Sequence, residues 1–148
     1  MWKQSLAVLC GFLAFSSLPA AAQSDPELAK SLGGNEMGMK KYVLVILKTG
    51  PNKMPAGAER DNMFKGHFAN MQRLADEKKL ALAGPLDGVD GWRGVFVIAT
   101  DNIEEAKKIV ATDPVIINGE MVGEFHAFFA SAGLMAVGDI HKKISKQK

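Results

Sequence analysis

The order in which two apolar patterns alternate along the chain constrains its fold more than any other feature of the sequence. Residues 42–47, 80–86, 93–100 and 120–129 are short runs rich in β-branched and aromatic residues, a pattern typical of strands. Residues 59–79 and 102–113 carry apolar residues at helical spacing. The chain therefore reads as strand, helix, strand, strand, helix, strand.

This order predicts an α+β, ferredoxin-like βαββαβ fold with a four-stranded antiparallel sheet. Each helix has a single apolar stripe, so both helices are expected to cover the same face of the sheet. On the last strand, one alternating set mixes apolar and polar residues: Val122, Glu124, His126 and Phe128. This set is expected on the open face, where a second subunit or a ligand would cover it.

Length and charge limit the classes of protein to consider. The 148 residues fit one domain, and 23% of them are charged, with a formal net charge of +2. No long run of like charge is present, so a dedicated nucleic-acid surface is not expected.

The N-terminal residues resemble an export signal. Lys3 precedes the apolar run 6–15, and three alanines at 20–22 form a small-residue cleavage pattern. We predict a signal peptide over residues 1–22 and a periplasmic or secreted protein without membrane contact after cleavage. An uncleaved anchor is the alternative. Cys10 is the single cysteine, so the mature chain would form no disulfide.

The remaining segments divide around the predicted domain, which covers residues 40–130. Residues 23–39 are polar and glycine-containing, which is typical of a linker or an N-terminal arm. Residues 131–148 form a C-terminal tail, either partly ordered or folded as a weak amphipathic helix with a basic end.

His67 lies on the apolar stripe of the first helix, between Phe64 and Phe68. A buried histidine that bonds the backbone is one explanation. The other is a general acid or base, because an imidazole exchanges a proton near neutral pH. Asp113 follows the stripe of the second helix and is either a helix-end signal paired with Pro114 or a carboxylate that orients His67.

Two further residues are candidates for ligand binding. Glu124 and His126 are two apart on one strand and point to the same side, either toward a ligand or as a solvated or interface pair. The histidines are few and widely separated, so no metal site is predicted. Neither a phosphate loop nor a dinucleotide fingerprint is present, and no cofactor is expected.

Several short segments together resemble the YCII-related (YciI-like) family, over residues 40–129. The segments are KYVLVILKTGP (41–51), GHFAN (66–70), LAGP (82–85), ATDP (111–114) followed by Gly119, and EFH (124–126). The resemblance implies a ferredoxin-like domain that pairs into a dimeric α+β barrel. It also implies an active-site histidine and aspartate, which fall on His67 and Asp113. Some members resemble dechlorinating or lactone-handling enzymes.

Three functions remain open on these observations. The first is a small-molecule enzyme in which the His67–Asp113 pair carries out acid/base chemistry: elimination, isomerisation or hydrolysis. The second is a non-catalytic, dimeric module that binds a small ligand. In the third, the pair is a packing detail of a structural or interaction protein, so apolar replacement of both residues would be harmless or stabilising.

Overall fold

The computed structural model describes residues 24–146, so the predicted signal peptide lies outside the described residues. Four strands form one antiparallel sheet in the order β2-β3-β1-β4. The strands are β1 (Met39–Thr49), β2 (Leu80–Pro85), β3 (Trp92–Ile98) and β4 (Met121–Ser131). The helices are α1 (Pro26–Ser31), α2 (Ala58–Asp76), α3 (Ile103–Val110), α4 (Pro114–Ile117) and α5 (Val137–Ile144). The predicted ferredoxin-like α+β fold is confirmed.

Helices α2 and α3 cover one face of the sheet, as predicted. Helix α2 has acidic residues in its first turn and buries one face, which includes Met63, His67, Asn70 and Leu74. Helix α3 begins where the side chain of Asn102 accepts a hydrogen bond from the Glu105 amide (3.1 Å). The main core between these helices and the sheet is formed by Val43, Val45, Leu47, Phe96, Ile98, Ala106 and Val110 with their neighbours.

The second helix ends earlier than the sequence indicated. Helix α3 stops at Val110, and Asp113 is the N-cap of the separate short helix α4, with Pro114 in its first turn. Apolar spacing could not show this break, because Val115 continues the buried pattern beyond it. The consequence is that Asp113 sits at a helix start and not at a helix end.

The C-terminal tail is folded onto the sheet face opposite to α2 and α3. Ala132 is buried, and Leu134 and Met135 pack against Tyr42 and Val97. Helix α5 is joined to the end of α2 by two ion pairs, Lys78–Asp139 and Lys142–Asp76, each 2.8 Å long. Of the two alternatives for the tail, a partly ordered segment or an amphipathic helix, the structure has the helix. The tail covers part of the open face. Within residues 24–146, no helix combines the length and apolar character needed to cross a bilayer.

Candidate active site

The imidazole of His67 is held among aromatic rings on the sheet-facing side of α2. His67 is 7% exposed. The ring stacks on Phe96 at 6.0 Å between centroids and lies 5.4 Å from Phe68 and 6.1 Å from Phe64, which meets it edge-on. Packing on three sides fixes the plane of the imidazole.

Asp113 meets His67 from the other side. Both of its carboxylate oxygens lie 2.9 Å from His67 Nδ1. The same carboxylate caps α4 by accepting from the Val115 amide (3.1 Å), and it also accepts from Asn70 Nδ2 (3.3 Å). A carboxylate in this position accepts, so Nδ1 carries a proton, and Nε2 is the ring nitrogen that Asp113 leaves unengaged.

Asn70 links the pair to a second layer of polar groups. Its Oδ1 accepts from Arg73 Nη2 (2.7 Å) and from Thr112 Oγ1 (3.2 Å). These bonds orient the amide so that its NH2 group faces Asp113. The network ties α2 to the turn before α4 and holds the carboxylate in place.

Gly66 allows the two helices to approach closely enough for this contact. A Cβ atom at position 66 would lie 3.0 Å from Pro114 Cγ. A glycine at this position inside α2 therefore permits the close approach of α2 to α4. His67 and Asp113 flank this point of contact on their respective segments.

A cavity of about 380 Å³ reaches His67 on the helix side of the sheet. Its lining is mainly apolar, and the exposed side chains of Phe68 and Leu86 lie at its opening. Residues 24–146 offer Nε2 of His67 no hydrogen-bond partner. A larger hollow of about 550 Å³ lies near Gly33, Lys40 and Asp101, away from every predicted site residue.

Arg93 lines the same cavity and was missed by the sequence reasoning. It is the extra residue of a β-bulge, because Trp92 pairs with Lys48 while Gly94 pairs with the preceding residue, Leu47. Strand alternation alone would have placed Arg93 on the open face. The sequence contains no marker of this register shift, although Gly94 is the kind of residue that accompanies a bulge.

Glu120 is a second residue that the sequence reasoning missed. It is 1% exposed and accepts from Arg60 Nη2 (2.7 Å) and the Met54 amide (2.8 Å). Burial raises the pKa of this carboxyl, but the bonds from Arg60 and Met54 outweigh it and bring the pKa below its ordinary value. The ion pair ties the first turn of α2 to the start of β4, and the Met54 bond ties the loop before α2 to the same point, beside the cavity residue Met121.

Glu124 and His126 lie on the opposite, open face of the sheet, so the structure does not bring them to His67. Their register partners on β1 are Ile46 and Leu44, which alternate with the helix-side core residues. His126 Nε2 is 2.8 Å from Glu124 Oε1, and Lys48 Nζ is 3.1 Å from Oε2. These bonds from His126 and Lys48 lower the pKa of Glu124. Their ligand-binding role stays a prediction.

The described part of the chain contains no cluster of side chains that could hold a metal ion. Across residues 24–146, no three His, Cys, Asp or Glu side chains converge as a metal ion would require. The two histidine–carboxylate pairs lie on different faces of the sheet. What the helix-side pair offers is a proton acceptor at an apolar cavity.

Comparison with known proteins places the chain in a family. The family model described as the YCII-related domain matches residues 41–123, more than half of the chain. The chain is also 39% identical over 54 residues to "Uncharacterized protein YjpA" of Bacillus subtilis (strain 168). That match covers 36% of this chain and 61% of the Bacillus protein. Most of strand β1, all of helix α2 with His67, and Asp113 fall within the region that the family model matches. The chain belongs to the YCII-related domain family.

Proposed function

We propose that this protein is a small-molecule enzyme in which His67, oriented by Asp113, moves a proton on a substrate bound in the adjoining cavity. One observation carries the proposal: Nδ1 is bonded to the carboxylate while Nε2 is left without a partner at a cavity wall. A ring fixed at one nitrogen and unengaged at the other is the arrangement that a general base needs.

Asp113 would do more than position the ring. When Nε2 takes a proton from the substrate, the imidazole becomes a cation, and the adjacent carboxylate stabilises it. The aromatic and aliphatic lining keeps the local dielectric low, so this charge pair is stronger there than in water. Elimination, isomerisation and hydrolytic removal of a leaving group each fit such a base.

Turnover can be tested with a panel of small molecules that carry a leaving group next to an acidic C–H bond, with products identified by NMR. We expect His67→Ala to lower the rate by about 10²–10⁴-fold, the usual contribution of a general base. His126→Ala is the matched control, because it removes the other paired histidine from the opposite face. Full activity in His67→Ala would refute the proposal.

The orientation of the imidazole can be measured without a substrate. Two-dimensional ¹H–¹⁵N spectra of the ring nitrogens should show His67 protonated at Nδ1 in the wild-type protein. Asp113→Asn presents an amide that can donate to Nδ1, so the proton should move to Nε2. Glu124→Gln should leave the His67 signals unchanged. A ring protonated at Nε2 in the wild-type protein would contradict the assigned role of Asp113.

A non-catalytic binding module is the second candidate. The feature that favours it is the composition of the cavity, where His67 and Arg93 are the polar side chains among twelve lining residues. Mostly apolar walls with few polar groups are typical of small-ligand sites. In that case His67→Ala weakens ligand binding, and product analysis finds no conversion by the wild-type protein.

We also propose that two copies pair through the open sheet face. Support comes from the exposed apolar side chain of Val122 there and from the family resemblance, which implies a dimeric barrel. The tail already covers Tyr42 and Val97 on this face, so pairing would use the exposed part of the face around Val122. Light scattering should give twice the chain mass, and a monomer at micromolar concentration would count against pairing.

Export is proposed on the leader-like residues 1–22 alone. Cell fractionation with mass spectrometry of the N-terminus should find a chain that begins near Gln23 outside the cytoplasm. An intact N-terminus in the cytoplasmic fraction would contradict this proposal.

A further inference from the structure

Arg93 is directed toward the cavity by a distortion of the sheet. In regular antiparallel pairing, residues alternate between faces, and Arg93 would share the open face with its alternate neighbour Val95. The bulge between the Leu47 and Lys48 pairings adds one residue to β3. Arg93 is that added residue, and its side chain lines the cavity with Leu47 and Phe96. Bulges commonly redirect a side chain in this way beside functional sites.

The N–H groups of the Arg93 guanidinium are available to donate hydrogen bonds to a ligand. The side chain is half-buried, and no residue within 24–146 forms a hydrogen bond or ion pair with it. Glu120 is close enough for Arg93 to help lower its pKa, but that carboxylate is already bonded by Arg60 and by the Met54 amide. A guanidinium is planar and has five N–H donors, so beside an apolar cavity it is suited to bind a carboxylate through two parallel hydrogen bonds, as a bidentate pair.

The rest of the cavity restricts what can carry that carboxylate. Its volume of about 380 Å³ is near the lower end of small-molecule sites. Phe64, Phe68 and Phe96 supply aromatic walls around the imidazole. A flat, apolar body with one acidic group matches these walls and the guanidinium of Arg93.

We propose that the cavity binds a small aromatic or branched apolar carboxylic acid, with the carboxylate on Arg93 and the body of the acid against His67. This inference rests on the proposed function for the chemistry at His67, but it assigns the substrate class and the anchoring residue by itself. Arg93 contacts the substrate and orients it, while His67 handles the proton.

Binding of matched acids and amides tests the assignment on the purified protein. The probes are phenylacetate with phenylacetamide and benzoate with benzamide, which share shape and differ in charge. NMR titration should show at least one acid bound about tenfold or more tightly than its amide, as a charge-assisted pair provides. In Arg93→Met this preference should fall below about twofold, since Met keeps much of the apolar stem and loses the charge.

Lys48→Met is the matched control for charge. Lys48 lies beside the same bulge and pairs with Trp92, but it bonds Glu124 on the open face. The acid preference should survive this change. Arg93→Lys retains a charge without the fork and should give an intermediate preference; it also serves if Arg93→Met fails to fold.

Equal affinity for acid and amide in the wild-type protein, including no detectable binding of either pair, would overturn the assignment. So would a preference that persists in Arg93→Met. His67→Asn separates the two proposals because it removes the base and leaves Arg93 intact. Acid-selective binding there, with no turnover by the wild-type protein, keeps the acid site and ends the enzyme proposal. If the protein turns over neutral molecules, and this turnover is lost in His67→Asn but unchanged in Arg93→Met, the enzyme proposal stands and the acid site is refuted.

Discussion

The protein contains two histidine–carboxylate pairs of nearly equal length in two very different settings. His67–Asp113 is 2.9 Å long, with side chains 9% and 0% exposed, between α2 and α4. His126–Glu124 is 2.8 Å long, with side chains 51% and 45% exposed, on the open face of β4. The first pair has a cap, an amide and aromatic rings around it, whereas the second shares its carboxylate with Lys48. The distance between the two side chains is therefore similar in both pairs, and burial and the surrounding hydrogen bonds are what set the pairs apart.

The largest expected difference between the pairs is in stability. Asp113→Ala removes one partner of a buried pair and the N-cap of α4, so it should lower the free energy of unfolding by about 3–5 kcal/mol. Glu124→Ala breaks an exposed pair and should leave the stability unchanged within error. Urea denaturation of both variants measures this. A similar loss of unfolding free energy in the two variants would show that the buried pair contributes no more to stability than the exposed one.

Acid titration compares Glu120 with Glu124, a buried and an exposed carboxylate that both have lowered pKa values. A carboxyl with a lower pKa in the folded state contributes stability above its unfolded pKa, and that contribution is lost as pH falls through the folded value. We expect stability to drop as pH falls below the ordinary glutamate pKa of about 4.3. Glu120→Gln should flatten this drop and Glu124→Gln should alter it little, as thermal melts from pH 7 to pH 3 would show. A wild-type acid limb unchanged by Glu120→Gln would contradict the role given to its ion pair.

Gly66→Ala should have the smallest effect on stability and a specific effect on the buried pair. Alanine adds about 1 kcal/mol of helix propensity, which offsets the crowding against Pro114. The melting temperature should therefore change little, while the wider spacing weakens the His67–Asp113 bond and shifts the ring ¹⁵N signals of His67. Gly138→Ala in helix α5, where no atom lies within 4 Å of the added Cβ, is the control. Unaltered His67 signals in Gly66→Ala would show that the helices adjust without disturbing the pair.

The sequence predicted the features that depend on local periodicity. Element order followed from apolar spacing, and the position of His67 on the stripe of α2 identified it as a mismatch with its neighbours. The pairing with Asp113 was a hypothesis from stripe positions and resemblance, and the structure places the two within hydrogen-bond distance.

The features that the sequence did not predict depend on contacts between distant segments. Arg93 reaches the cavity because of a register shift against β1, and alternation along β3 alone gives the wrong face. Glu120 is buried because Arg60 and Met54 reach it from a loop and helix some sixty residues away in sequence. The break between α3 and α4 exists because Asp113 caps a new helix. The apolar pattern continues through this break and gives no sign of it.

Under the proposed function, Asp113 serves both the scaffold and the chemistry, because the oxygen that caps α4 is one of the two that His67 bonds. Random mutagenesis followed by a screen for lost function will therefore recover position 113 for two reasons that an activity readout cannot separate, misfolding and inactivity. Position 67 is the cleaner target for genetics. Evolution faces the same constraint, since a lineage without the proposed reaction would still be selected to keep a side chain at 113 that can cap α4.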